Sequence, residues 1–428
     1  MKKILNTLTV AALLVIFTGC NQNHNSQPSS GDTITLDFWH AMHNFHETAL
    51  LELIDEFHAE FPKIRVNATF QGNYSELDTL IIASALAGTL PHIVQQTTDN
   101  ITGYIEDGIL LPLTDFYFHP ELGLTEEQFA DVVGVFKNGV AWDGELMSVP
   151  FGKSTRVIYY NADLFEEFGA TAPTTWEELT GLAIMMTGEN RVGLGFENNW
   201  APEFIALTLK HGGIYIDEDT SVAMFAEPAG ISAGNFIMDM VHLGYARFAD
   251  EDMFQSNVFA RGEVAMFIGT SSSFPFVGRA VEASENPFNW NTAVLPSFEG
   301  TSAVRFSGND LIMMDNGMNR NEQLAVWTFM KFTMRPEITA RWSTATGYTP
   351  VTYSGRSHGL FTNYLDENPQ AAAGAAQFES GFMTARVAGA NQVWQILSEE
   401  LSNIRLGIYE VEPALVRAAG RANAVLGN

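Results

Sequence analysis

Two periodicities alternate through residues 34–94, and this alternation constrains the fold more than any other feature of the chain. Ile34, Leu36 and Phe38 take every second position with Thr35 and Asp37 between them, the pattern of a half-buried strand. Leu50, Leu53, Ile54, Phe57 and Phe61 then repeat at helical spacing until Pro62 stops them. Ile64, Val66, Ala68 and Phe70 return to period two. Leu77, Leu80, Ile81 and Ala85 return to helical spacing, with Ser75 and Asp78 as capping residues and Gly88 as the end. His92-Ile93-Val94 adds a third short strand. Strand–helix–strand–helix–strand implies right-handed βαβ units, an α/β fold and a mostly parallel sheet.

A second α/β segment begins near Leu146. Val157–Tyr160 reads as a buried strand and Asp163–Phe168 as a short helix closed by Gly169. Thr174 and Glu177 have capping-box spacing ahead of a helix over Trp176–Met186. Further helices are predicted over Pro202–His211, Ala229–Leu243, Asp250–Gly262 and Asn321–Phe332, with strands at Val264–Ile268 and Ala293–Leu295. From Asn391 onward the pattern is helical only. A chain of 428 residues with 46% hydrophobic residues can bury a large core, in two or three domains or one bilobal body. Its 22 Lys+Arg against 50 Asp+Glu give a net charge of −28. That balance argues against a nucleic-acid partner, because phosphate-backbone binding is driven by clustered cations.

The chain has one cysteine, Cys20, so it forms no intrachain disulfide and no cysteine-based metal site. Lys2 and Lys3 precede an apolar run from Leu8 to Phe17, followed by Thr18-Gly19-Cys20. This is the layout of an export signal; a spanning helix needs about 20 apolar residues. Thr18-Gly19-Cys20 resembles a bacterial lipobox, with Phe17 where leucine is usual. The resemblance implies lipidation at Cys20 and anchoring at the outer face of the cytoplasmic membrane. Residues 21–32 (NQNHNSQPSSGD) read as a flexible tether.

Familiar catalytic motifs fail on inspection. Gly152-Lys153-Ser154-Thr155 has the tail of a phosphate-binding loop, but Met147 stands where its first glycine is required. His40, His43 and His46 do not converge on one helix face, and no acidic residue stands at ligand spacing, so no metal site is expected. Gly269-Thr270-Ser271-Ser272-Ser273 lacks the second glycine of a nucleophile elbow. What the chain does carry is a scatter of aromatic and small polar residues near strand-to-helix turns. Among them are Trp39, Tyr74, Ser154, Trp200, Thr270, Gly308, Tyr348 and Trp394. Any one aromatic alone reads as core; as a set, they fit a ligand site beyond the carboxyl ends of sheet strands.

Eight segments in order carry a resemblance to a known family. They are FWHAM at Phe38–Met42, GNY at Gly72–Tyr74, PHIVQ at Pro91–Gln95, VIYYN ending at Asn161 and TWEEL at Thr175–Leu179. RGEVAM ending at Met266, Pro336–Trp342 and TGYTPV at Thr346–Val351 complete the set. The chain resembles extracellular solute-binding proteins of ATP-driven importers, the family of maltose- and glycerol-3-phosphate-binding proteins. That resemblance implies a two-lobed, type II periplasmic-binding-protein fold with the ligand held between the lobes. The lobes would be 33–150 with 297–345, and 151–296 with 346–428, joined by crossings near Val149–Thr155, Leu295–Gly300 and Ala345–Pro350.

Carried over from the glycerol-3-phosphate binders, the ligand contacts fall on Tyr74, Ser154, Gly308 and Tyr348, with Thr270 replacing a serine. Two positions depart. The acidic contact falls on Thr98, with Asp99 next to it, and the arginine that meets phosphate falls on Trp394. Trp394 resembles instead the tryptophan on which maltose-type binders stack a sugar, while Arg156 or Arg386 could supply a replacement cation. The implied function is capture of a carbohydrate or polyol for an importer's permease, by a monomer without cofactor. Binding of glycerol-3-phosphate or its diesters is the alternative within the class, and a secreted glycoside hydrolase the alternative outside it.

Overall fold

The computed structural model describes residues 33–296, 304–377, 381–383, 385 and 387–427. Its strands are β1 (Ile34–His40), β2 (Ile64–Phe70), β3 (Ile93–Thr97), β4 (Val149–Ser154), β5 (Arg156–Asn161), β6 (Val192–Phe196), β7 (Ala246–Phe248), β8 (Val264–Thr270), β9 (Trp290–Val294) and β10 (Ser307–Met313), beside several two-residue strands. They build two five-stranded sheets, ordered β2-β1-β3-β10-β4 and β7-β6-β8-β5-β9.

Both sheets follow one plan. β1 pairs in parallel with β2 and β3, as the βαβ reading requires, while β10 runs antiparallel to both β3 and β4. In the second sheet β6 is parallel to β7 and β8, and β5 is antiparallel to β8 and β9. The sheets are therefore mixed rather than mostly parallel. The antiparallel strands arrive from distant parts of the chain, so no local crossover helix dictates their direction.

Helices cover the sheets. The helix α1 (Phe45–Glu60) buries His46, Leu50, Leu53, Ile54 and Phe57, the stripe read from the sequence, against the first sheet. α2 (Tyr74–Ala87) starts one residue before the expected Ser75, because Asn73 is its cap: the Asn73 carboxamide accepts from the amides of Ser75 and Glu76, and Glu76 closes the capping box. The second capping box, in contrast, is one residue later than read, Thr175 with Glu178. The stretch Asp250–Gly262 is not one helix; a short 3-10 turn, Asp250–Asp252, precedes α4 (Gln255–Ala260), while α3 (Thr98–Glu106) lies earlier in the chain. α5 (Phe274–Glu282), α6 (Pro336–Thr346) and α7 (Ala390–Arg405) complete the elements that matter below. Among the described residues no helix is long and apolar enough to cross a membrane.

The chain passes from one sheet to the other through Thr155 alone, since Ser154 ends β4 and Arg156 begins β5. An expected lobe boundary after residue 150 would cut through β4, which pairs with β10 as far as Ser154–Ser307. The return path from β9 to β10 runs partly outside the described residues. At the third passage the Thr349 amide donates to the Lys153 carbonyl at 2.7 Å.

β4 and β10 meet so closely that one position has no room for a side chain. Gly308 has φ +122, and a Cβ there would stand 1.9 Å from the Gly152 carbonyl oxygen. Gly308→Ala should therefore cost about 2 kcal/mol or more, through strain and forced separation of the strands. Calorimetric melting of the ligand-free protein checks this: a fall of several degrees is expected, and an unchanged midpoint contradicts the packing described.

Candidate ligand cleft

The middle of β3, the start of α2, β10 and the turn after α6 bring four polar side chains together. The Tyr74 hydroxyl accepts from Gln95 Nε2 at 2.9 Å and from Asn309 Nδ2 at 3.1 Å. Asn309 Nδ2 also reaches Tyr348 Oη at 3.4 Å, while its Oδ1 accepts from the Gly152 amide at 3.2 Å. Gln95 Oε1 in turn accepts from the Ala41 amide at 3.1 Å. Burial pushes the Tyr74 phenol well above its ordinary value and the Tyr348 phenol up to about 12. Both phenols thus keep their protons at neutral pH and present neutral hydrogen-bonding groups to a ligand.

Across from them stands the second sheet. Thr270 ends β8, and its hydroxyl lies 3.1 Å from that of Ser272 in the turn that follows. The cleft between the two walls has a volume of about 360 Å³. Ala41, Met42, His43, His46 and Tyr74 line it on the side of the first sheet, with Tyr348 at the base. On the other side are Thr270, Ser272, Ser273 and Phe276, together with Asp252, Phe254, Ser256 and Asn257 around the start of α4.

The walls touch where α5 meets α1. Phe276 of α5 lies 4.4 Å from Phe45 and 5.3 Å from His46 between ring centroids, and the Arg279 guanidinium sits 4.4 Å above the Phe45 ring. Elsewhere Asp99 of α3 accepts two hydrogen bonds from Arg305 Nη2, at 2.6 and 2.8 Å. The Arg305 guanidinium stacks 4.2 Å from the Trp394 ring of α7. The Gly389 amide, just before α7, donates to Glu106 of α3 at 2.8 Å.

Of the residues singled out from the sequence, Tyr74, Thr270 and Tyr348 line this cleft together. Ser154 and Gly308 lie at the crossing beside it, Ser154 buried and Gly308 paired with Lys153. The others stand elsewhere. Trp39 packs among Leu77, Ile81, Val94 and Ile101, because strand alternation turns it to the α2 side of β1. Trp200 is fully buried; its indole N–H donates to the Leu401 carbonyl at 3.1 Å, and Phe204 and Phe248 pack about it. Trp394 turns its face to Arg305, and Asp99 is engaged by that same arginine. Arg156 is buried between Glu197 (3.0 Å) and Glu203 (2.6 Å). Arg386 and Cys20 lie outside the described residues. Sequence reasoning missed His43, His46, Asp252, Phe254 and Phe276 as cleft residues; the FWHAM motif stood next to the first two, Asp252 and Phe254 lay in a stretch read as one helix, and Phe276 lay in a segment given no element.

This architecture has known counterparts. The model of the bacterial extracellular solute-binding protein family matches residues 52–370, about three quarters of the chain. The chain belongs to that family. It is 24% identical over 417 residues to the sn-glycerol-3-phosphate-binding periplasmic protein of Escherichia coli K12, covering 92% of both chains. Its fold matches that of UgpB from Mycobacterium tuberculosis, solved with glycerophosphocholine, with a TM-score of 0.79 and 24% identity over 93% of this chain and 99% of that one. It also matches the GacH receptor of Streptomyces glaucescens, described in unliganded and acarbose-bound forms, with a TM-score of 0.80 and 17% identity over 92% and 99%. The two-lobed, type II periplasmic-binding-protein fold expected from the sequence is thus the fold observed.

His46 supplies a pH test of the closed arrangement. Its Nε2 lies 2.9 Å from the Thr346 carbonyl, which can only accept, so that nitrogen carries the proton. Burial lowers its pKa from 6.5 to about 4. The unfolded chain therefore binds this proton first, and stability falls as pH drops from about 6.5 towards 4, by on the order of 3 kcal/mol for this group. His46→Gln keeps a donor for the carbonyl but removes the titration. Its melting point should fall less than that of the wild type between pH 7 and pH 4.5, and an equal fall in both contradicts this role.

Proposed function

We propose that this protein is the capture component of an ATP-driven importer, binding a neutral carbohydrate or polyol between its lobes and presenting it to a membrane permease. The observation that carries the reading is the cleft lining, which among the described residues offers phenols, aliphatic hydroxyls, imidazoles and aromatic rings, one carboxylate, and no lysine or arginine. Hydroxyl-rich walls with aromatic faces match the polar edges and C–H faces of a sugar. A phosphate buried there would need a cation or several N–H donors to offset its desolvation. The relative named for glycerol-3-phosphate keeps that ligand as the competing reading, for which Arg305, stacked on Trp394, is a candidate cation. It is already held by both oxygens of Asp99.

Family membership supports a receptor over a hydrolase, and the same reading includes export and a lipid anchor at Cys20. A melting screen tests the ligand class. A tight neutral saccharide should raise stability by about 2.7 kcal/mol at one hundred times its Kd. Tyr74→Phe and Thr270→Val should lower that response, each by removing one hydroxyl contact worth about 1 kcal/mol. Stabilisation by glycerol-3-phosphate and by no saccharide would overturn the carbohydrate reading. For the anchor, Cys20→Ser should move the mature protein from the detergent phase to the aqueous phase, and a mutant that stays with detergent contradicts lipidation there.

A further inference from the structure

The rim of the cleft around α4 carries an exposed aromatic ring. Phe254 lines the cleft, yet it is 58% exposed. An aromatic side chain of that exposure has little packing to hold it, so its position depends on its backbone. That backbone is strained and pinned. Asp250 and Met253 adopt φ values of +53 and +62, a region that residues with side chains seldom enter. Such conformations cost of order 1–3 kcal/mol each and persist only where surrounding contacts enforce them.

The contacts are present. Asn198 grips the turn from below: its Nδ2 donates to the Asp250 carbonyl at 2.6 Å, its Oδ1 accepts from the Asp250 amide at 2.8 Å, and its backbone amide donates to the Met253 carbonyl at 3.2 Å. Arg261 holds Asp252 by both oxygens, at 2.7 and 3.3 Å. The Phe254 amide closes back onto the Asp252 carbonyl at 2.7 Å. A tight, pre-formed turn thus presents a carboxylate and a ring two residues apart at the edge of the cleft, followed by Ser256 and Asn257.

We propose that this turn is a sugar subsite in which Phe254 is the stacking platform and Asp252, fixed by Arg261, accepts hydrogen bonds from ring hydroxyls. The role sought for Trp394 from the sequence passes to Phe254, since Trp394 already stacks against Arg305. Stacking needs an uncovered apolar face of about one sugar ring, and a carboxylate beside it selects hydroxyl donors against anions. The turn is paid for in strain, so the sugar meets a surface that needs no further ordering. Met253, 61% exposed but not a lining residue, provides the control.

This inference rests on the carbohydrate reading above, and the experiment separates the two. Full-length mature wild type, Phe254→Ala, Phe254→Trp and Met253→Ala are titrated calorimetrically with neutral mono-, di- and trisaccharides, and with glycerol-3-phosphate and glycerophosphocholine. The tightest saccharide for the wild type should bind Phe254→Ala at least tenfold more weakly, Phe254→Trp about as well as wild type, and Met253→Ala within twofold. Because the ring is exposed, melting of the ligand-free variants should match the wild type, which excludes a folding defect. A saccharide that binds wild type and Phe254→Ala equally overturns the subsite and leaves the carbohydrate reading standing. A wild type that binds no saccharide, or only the phosphate compounds, overturns both.

Discussion

Everything about this molecule follows from the single residue that separates its two sheets. Ser154 is bonded into one sheet and Arg156 into the other, so Thr155 carries the whole change of direction. Its amide donates to Ser271 Oγ at 3.2 Å and its carbonyl accepts from the Ser271 amide at 2.8 Å. Gln377 adds a bond to the Arg156 carbonyl at 2.8 Å. A connection this short leaves few soft dihedrals between the lobes, which is the requirement for a hinge that moves in one direction. The cleft lies beside this crossing because Tyr348 immediately precedes Thr349, whose amide bonds Lys153, and Asn309 lies on β10, which pairs with β4.

Charge economy shapes the ligand chemistry. Among the described residues the buried cations are Lys153, Arg156 and Arg305. Each is matched: Lys153 by Asp310 at 2.5 Å, Arg156 by Glu197 and Glu203, and Arg305 by Asp99. A buried cation without a partner would be costly, and removing one member of such a pair typically costs 3–5 kcal/mol. These pairs tie strands and helices together, the Lys153–Asp310 pair joining β4 to β10 and the Asp99–Arg305 pair joining α3 to the segment that precedes β10. Among the described residues the cleft itself is left with hydroxyls, imidazoles, aromatic rings and the Asp252 carboxylate, a surface suited to a neutral ligand.

The sequence made the βαβ start plain because β1, α1, β2 and α2 carry their own periodicity and stops. It hid β10. Ser307, Gly308, Asn309 and Asp310 are poor strand formers, and the strand exists because β3 and β4 flank it, through contacts hundreds of residues apart in the chain. Of the site, Tyr74, Thr270 and Tyr348 were legible through family-like motifs, whereas Trp39 and Trp200 were not separable from core aromatics by pattern alone. Phe254 was invisible for a different reason. Its apolar neighbours Val258 and Phe259 continue a helical pattern, and only the hydrogen bonds of Asn198, far away in sequence, break the helix before Gln255.

Small-angle scattering with and without a saturating saccharide tests the central claim most directly, that the lobes pivot about the crossing strands to enclose a ligand. The account predicts a lower radius of gyration in the bound protein, with the bound profile matching the arrangement in which Phe45 meets Phe276. Superimposable profiles for the free protein and for the protein with its saccharide bound would contradict it.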